Sequence, residues 1–154
     1  YPNGSYSKEI INLLPACGIE YSRVVGSTDD FAFPDNFLEW KSTCHHGHNL
    51  IQNAERFADL HKTQYLYMMY VWGHSYEFDR DNSWDLIEGF CKFIGGRDDI
   101  WYATNIEIVD YMNAAKNLKY TAKGDRVYNP NAISVWIEVD GQHYEIKPGE
   151  LKEI

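Results

Sequence analysis

The most restrictive feature of the chain is the stretch Gln64 to Trp72, in which Tyr65-Leu66-Tyr67-Met68-Met69-Tyr70-Val71-Trp72 is apolar at every position. A run of this length without polar alternation predicts a strand buried on both faces, as in a parallel sheet or barrel. Leu50 to His61 precede it as an amphipathic helix, with Leu50, Ile51, Ala54, Phe57, Ala58 and His61 near one face. After a loop from Gly73 to Asn82, Ser83 to Ile94 predict a helix capped by Ser83, with Trp84, Ile87, Phe90, Cys91 and Ile94 inward.

The same rhythm extends in both directions. Ser7 caps a helix carrying Ile10, Ile11, Leu13 and Leu14, which Pro15 and Gly18 end. Tyr21 to Val25 predict a short strand, Gly26 to Asn36 a loop, and Lys41 to His45 an extended segment. Ile100 to Ala103 predict another strand, and Thr104 or Asn105 caps a long helix to about Leu118. From there Tyr120 to Tyr128, Ile133 to Val139 and His143 to Ile146 predict strands, with Asp140-Gly141 as a two-residue hairpin turn. Alternating units favour an α/β fold with a parallel sheet or (β/α) barrel, with too few units to close the barrel. The expected domains are residues 1–119 and a β-rich appendage, 120–154.

Charge narrows the partners. Against 23 Asp and Glu stand 14 Lys and Arg, a formal net charge of −9, which repels phosphate backbones and argues against nucleic acid. No basic cluster addresses an anionic membrane, and no apolar run is long enough to span one. Aromatics make up 16% of the chain, a composition that suits a sugar-binding cleft but more often fills a core. Cys17, Cys44 and Cys91 are odd in number and far apart, so no disulfide framework is implied; Cys17 and Cys91 are expected on buried helical faces. Tyr1-Pro2-Asn3-Gly4 opens the chain in a tight turn without Met, which predicts a piece of a longer protein.

Four constellations bear on chemistry. In Tyr70-Val71-Trp72-Gly73-His74-Ser75-Tyr76-Glu77-Phe78-Asp79 a strand delivers Gly73, for a sharp turn, and then His74 at its C-terminal end, where barrel enzymes place catalytic groups. Glu77 or Asp79 orients the imidazole; the plainer reading is a histidine satisfied by a neighbouring carbonyl. Cys44-His45-His46-Gly47-His48 has transition-metal ligand types without a standard zinc spacing, and adjacent strand residues face opposite ways, so His45 and His46 are not expected to share an ion. An imidazole here, His46 for one, also suits the lining of a sugar cleft. Trp101-Tyr102-Ala103-Thr104-Asn105-Ile106-Glu107 places a helix cap where Asn105 could also hold a ligand hydroxyl. Arg23, inside a strand, wants an anionic partner, with Asp29, Asp30 and Glu39 in reach; it serves structure or positions a catalytic carboxylate.

Taken together, Tyr1-Pro2-Asn3-Gly4, Gly18-Ile19-Glu20-Tyr21-Ser22-Arg23, Trp72-Gly73-His74-Ser75-Tyr76-Glu77-Phe78-Asp79 and Thr104-Asn105-Ile106-Glu107 resemble the polysaccharide deacetylases of the NodB-like family, from residue 1 to about Leu118. The resemblance implies the C-terminal half of a distorted TIM-like barrel, a partial (β/α) barrel with a C-terminal β-hairpin appendage. It implies removal of acetyl groups from N-acetylated sugars, with a divalent metal, zinc or similar, held by one Asp and two His. Those ligands lie in motifs upstream of the turn that opens this chain, so no metal is expected in this fragment, which is expected to be inactive without the missing N-terminal half. Thr28-Asp29-Asp30-Phe31 and His45-x-x-His48 are similar to those motifs in composition but not in place or spacing.

Residue by residue, His74 resembles the family's general acid. Asp29, Asp30 or Asp35 with Trp40 stands for its orienting carboxylate, with Asp30 preferred. Arg23 stands for an arginine that usually precedes the opening turn, where Asn3 also replaces the usual Tyr. The Asn3-Gly4 backbone is placed near the oxyanion, and Trp72, Tyr76 and Trp84 against sugar rings, with Asn3, His46 and Asn105 as further substrate contacts.

Two other classes remain: a non-catalytic carbohydrate-binding module, and a small metal-binding protein using Cys44, His45, His46 and His48. A half barrel exposes strand edges, so self-association is a further expectation.

Overall fold

A computed structural model of the chain describes residues 1–61 and 64–154. The chain divides into two compact units, residues 1–102 and 103–154.

In the first unit, helix α1 (Lys8–Leu13) starts where the Ser7 side chain accepts a hydrogen bond from the Ile10 amide. It tightens into a 3-10 turn, Leu14–Cys17, and stops at Gly18, whose φ of 73° closes the helix in the left-handed region. Strand β1 (Arg23–Ser27) pairs in parallel with β2 (Trp40–Ser42), and β3 (Cys44–His45) pairs in parallel with β4 (Val71–Trp72). Thr43 stitches the pairs: its amide donates to the Tyr70 carbonyl, its hydroxyl accepts from the Tyr70 amide, and its carbonyl accepts from Asp29. Helix α2 (Leu50–Ala58) returns the chain from β3 toward β4 and buries Leu50, Ala54 and Ala58. Trp40, 1% exposed, centres the core, with Phe37 and Tyr70 rings 4.9 and 5.0 Å away.

Helices α3 (Ser75–Arg80) and α4 (Trp84–Ile94) follow β4. The second unit holds α5 (Asn105–Lys116), the antiparallel sheet β5 (Lys119–Tyr120), β6 (Arg126–Tyr128) and β9 (Leu151–Glu153), and the hairpin β7 (Val135–Val139) with β8 (Gln142–Ile146). Asp140 and Gly141 turn that hairpin with φ of 51° and 78°, the pair of positive values a two-residue turn of this hand requires. Ala114 and Leu118 pack with Val127, Val135 and Ile146, so α5 belongs with the C-terminal strands.

The partial barrel expected from the sequence is not what the chain forms. Among the described residues its strands, two to five residues long, assemble into four small separate sheets, and no ring closes. The long apolar run explains part of the difference. Only Val71 and Trp72 find a strand partner, while Tyr65 and Leu66 are 73% and 57% exposed. An apolar run specifies what a segment would bury but not which backbone edge meets it. The strand expected at Ile100 to Ala103 is likewise irregular. The loop expected at Gly73 to Asn82 contains α3. Cys17 and Cys91 are exposed rather than buried: Cys17 ends the 3-10 turn Leu14–Cys17, which buries no residue, and Cys91 lies on α4, which packs on α2 without burying any of its own residues.

Candidate functional site

The Glu77 carboxylate is the hub of the first unit's polar chemistry. It sits at the third position of α3, from which it reaches back to accept the His74 amide at 3.0 Å, the helix-capping geometry. The same oxygen, Oε2, lies 3.0 Å from His45 Nε2, 2.8 Å from His46 Nε2 and 3.5 Å from His74 Nδ1. Glu77 is buried, yet its carboxyl is held down to about 2, chiefly by the His74 amide, with burial opposing and His46 adding to the effect. It is therefore an anion at neutral pH.

Three imidazoles converge on that anion from two segments. His45 ends β3, beside Trp72 of β4. His46 lies beyond the strand end, where the alternation of faces lapses; its ring centroid is 4.3 Å from that of His45. The expectation that these neighbours face opposite ways is corrected by the strand ending one residue too early to impose it. Burial, and then His46, push the His45 imidazole below its ordinary value. His46 is 4% exposed, and its Nδ1 has no hydrogen-bond partner among the described residues.

Gly73 makes room for this ring rather than for a sharp turn: a Cβ there would overlap the His46 imidazole, and its φ is not positive. His74 keeps an open side, 52% of its side chain being exposed.

Arg23 joins the group differently from expectation. Its guanidinium carbon lies 3.8 Å from the centroid of the Trp72 ring, a cation–π contact, and it forms no ion pair among the described residues. One guanidinium nitrogen, Nη1, and the Trp72 indole nitrogen are buried without hydrogen-bond partners among the described residues. Trp72 also meets His45 and His74 edge-on, at 4.7 and 5.7 Å. Tyr76 lies beside His74 at 5.2 Å and is 60% exposed, and Trp84, 47% exposed, packs on Phe78 and donates its indole N–H to Asp79.

Other expected residues lie elsewhere. The Asp30 carboxylate accepts the Phe31 amide at 2.7 Å, and Asp30 lines a cleft of about 400 Å³ with Asp35, Glu39 and Lys41, to which no histidine contributes. The carboxylate beside His74 is thus Glu77, not Asp30. Asn3, with φ of 51°, shapes the opening turn; the Tyr1 amino group donates to the Arg23 carbonyl, and Gly4 lies against Val25 too closely for a side chain. Asn105 is the first residue of α5 in the second unit, behind a cap in which the Thr104 amide and hydroxyl both donate to Glu107. Cys44 is fully buried, which raises its thiol, and it is not a member of the histidine group.

Among the described residues, His45, His74 and Glu77 form a group whose ligand atoms all lie within 4.8 Å of one another. His45 is the member that sequence reasoning did not join to His74. Glu77 was legible as one of two carboxylates, with Asp79, close enough in sequence to orient His74; the helix start through which it acts was not, since the segment reads as a loop.

Comparison of the chain with models of protein families, with characterised proteins and with solved structures finds no match.

Proposed function

We propose that this chain supplies the proton-delivering part of a carbohydrate deacetylase, acting on N-acetylated sugars. The observation that carries the reading is His74: a solvent-open imidazole at the end of a strand, with Nδ1 3.5 Å from a carboxylate kept ionised by the helix start that follows it. The resemblance of Trp72-Gly73-His74-Ser75-Tyr76-Glu77-Phe78-Asp79 to the family's late motif supports the same role.

The divalent metal of such enzymes supplies an activated water when bound. The Asp-Asp pair of this chain does not fit that ion. Asp29 accepts the Asn53 side-chain amide at 2.8 Å, Asp30 accepts the Phe31 amide, and no imidazole groups with either among the described residues. The contribution of residues 1–154 is therefore read through proton transfer. Glu77, 3.5 Å from His74 Nδ1, orients the ring with that nitrogen towards the carboxylate, which leaves Nε2 to deliver a proton to the departing sugar nitrogen. The exposed faces of Tyr76 and Trp84 are platforms for pyranose rings, whereas one face of Trp72 is taken by Arg23.

The test is acetate release from N-acetylglucosamine oligomers by the full-length protein. His74→Ala should lower kcat by about 10²–10⁴-fold, the usual worth of a positioned acid. Turnover within a factor of a few of the unaltered protein would remove His74 from the chemistry.

A further inference from the structure

Four nitrogen-bearing groups lie within 3.5 Å of Glu77 Oε2: the imidazoles of His45, His46 and His74 and the His74 amide. One carboxylate oxygen has two lone pairs, so it cannot accept four good hydrogen bonds at once. In a tetrahedral zinc centre, bonds of about 2.0–2.1 Å to nitrogen and oxygen set the ligand atoms about 3.3 Å apart. Glu77 Oε2 is 3.0 Å from His45 Nε2 and 3.5 Å from His74 Nδ1, values that bracket that separation.

We propose that His45 Nε2, His74 Nδ1 and Glu77 Oε2 form a binding site for one divalent transition-metal ion, with zinc as the best match. Two imidazoles and a carboxylate are the donor set of open zinc sites, which keep a fourth position for water or substrate. His46, buried and 2.8 Å from the same carboxylate, fixes that ligand's orientation without joining the group. The exposed side of His74 is the ion's way in, and the net charge of −9 favours cations around it.

The ligand set differs from the Cys44–His48 cluster suggested by composition: His45 is shared, while Cys44 and His48 stand outside. The site does not depend on the deacetylase reading. If that reading also holds, the ion takes the place of the proton on His74 Nδ1, so occupancy and proton delivery by His74 exclude each other.

Chelator-treated chain 1–154 titrated with Co²⁺ tests this without any activity. One equivalent should bind, with visible absorption bands of a four- or five-coordinate ion, and excess Zn²⁺ should remove them. His45→Ala and His74→Ala should each weaken binding about 100-fold or more, since even supporting partners of metal ligands are worth about 10–100-fold. His48→Ala and Cys44→Ser should leave affinity unchanged. In the unaltered chain, Co²⁺ should broaden the His45 and His74 ring resonances before those of His48 or His143, a readout that does not depend on any variant folding. Absence of the bands, affinity indifferent to His45 and His74, or first broadening at His48 or His143 would each overturn the site.

Discussion

Replacing Gly73 with Ala puts a methyl group into the space of the His46 ring. The added carbon would lie 2.8 Å from His46 Cγ and nearer still to Cδ2 and Nε2. Carbon atoms settle at about 3.5–4.0 Å, so the ring, whose Cδ2 would overlap the methyl, must retreat by about 2 Å. It has little room to do so: it is 4% exposed, with His45 at 4.3 Å and Phe78 at 4.5 Å between ring centres. Overpacking of this kind costs about 1–3 kcal/mol. The lower entropy of the unfolded chain with Ala returns about 0.4–1 kcal/mol. A net loss of about 1–2 kcal/mol lowers Tm by about 2–8 °C for a chain of this size. Thermal unfolding followed by circular dichroism reads the loss, and the His46 ring resonances report the displacement. Gly89→Ala is the control. A Cβ there meets nothing within 4 Å, and its place inside α4 predicts a gain of about 0.5–1 kcal/mol. An unchanged Tm and unchanged His46 resonances in Gly73→Ala would refute the account of why this glycine is there.

Two further outcomes follow from the described contacts. Asn129, fully buried, donates to the Ile133 and Ile146 carbonyls at 2.8 Å each and accepts from the Asn131 amide and side chain, so Asn129→Ala should cost the 103–154 unit about 2–4 kcal/mol in urea unfolding, from stranded partners and the void. Because the Glu77 carboxyl is depressed from 4.5 to about 2, its stabilisation is fully present above pH 4.5 and lost as pH falls towards 2; the urea midpoint should drop across that window in the unaltered chain and drop less in Glu77→Gln.

Local chemistry was the legible part of the sequence. Ser7, Gly18, the Thr104–Glu107 cap and the Asp140-Gly141 turn act through groups a few residues apart, and each is found in the structure. What the apolar run before Trp72 would pair with depends on distant backbone, and most of it pairs with nothing as a strand. The site shows the same division. Glu77 and His74 lie three residues apart and could be read together, although the helix start that joins them reads as a loop. The approach of His45 and His46 depends on β3 ending at His45 and on Gly73 lacking a side chain, facts set by tertiary packing.

The central claim is that Glu77 sets which ring nitrogen of His74 faces it and carries the proton, and long-range ¹⁵N NMR of the metal-free chain reads it directly. The account predicts that neutral His74 carries its proton on Nδ1, and that Glu77→Gln shifts the population towards Nε2–H. A His74 ring protonated on Nε2 in the unaltered chain, and indifferent to Glu77→Gln, would contradict it.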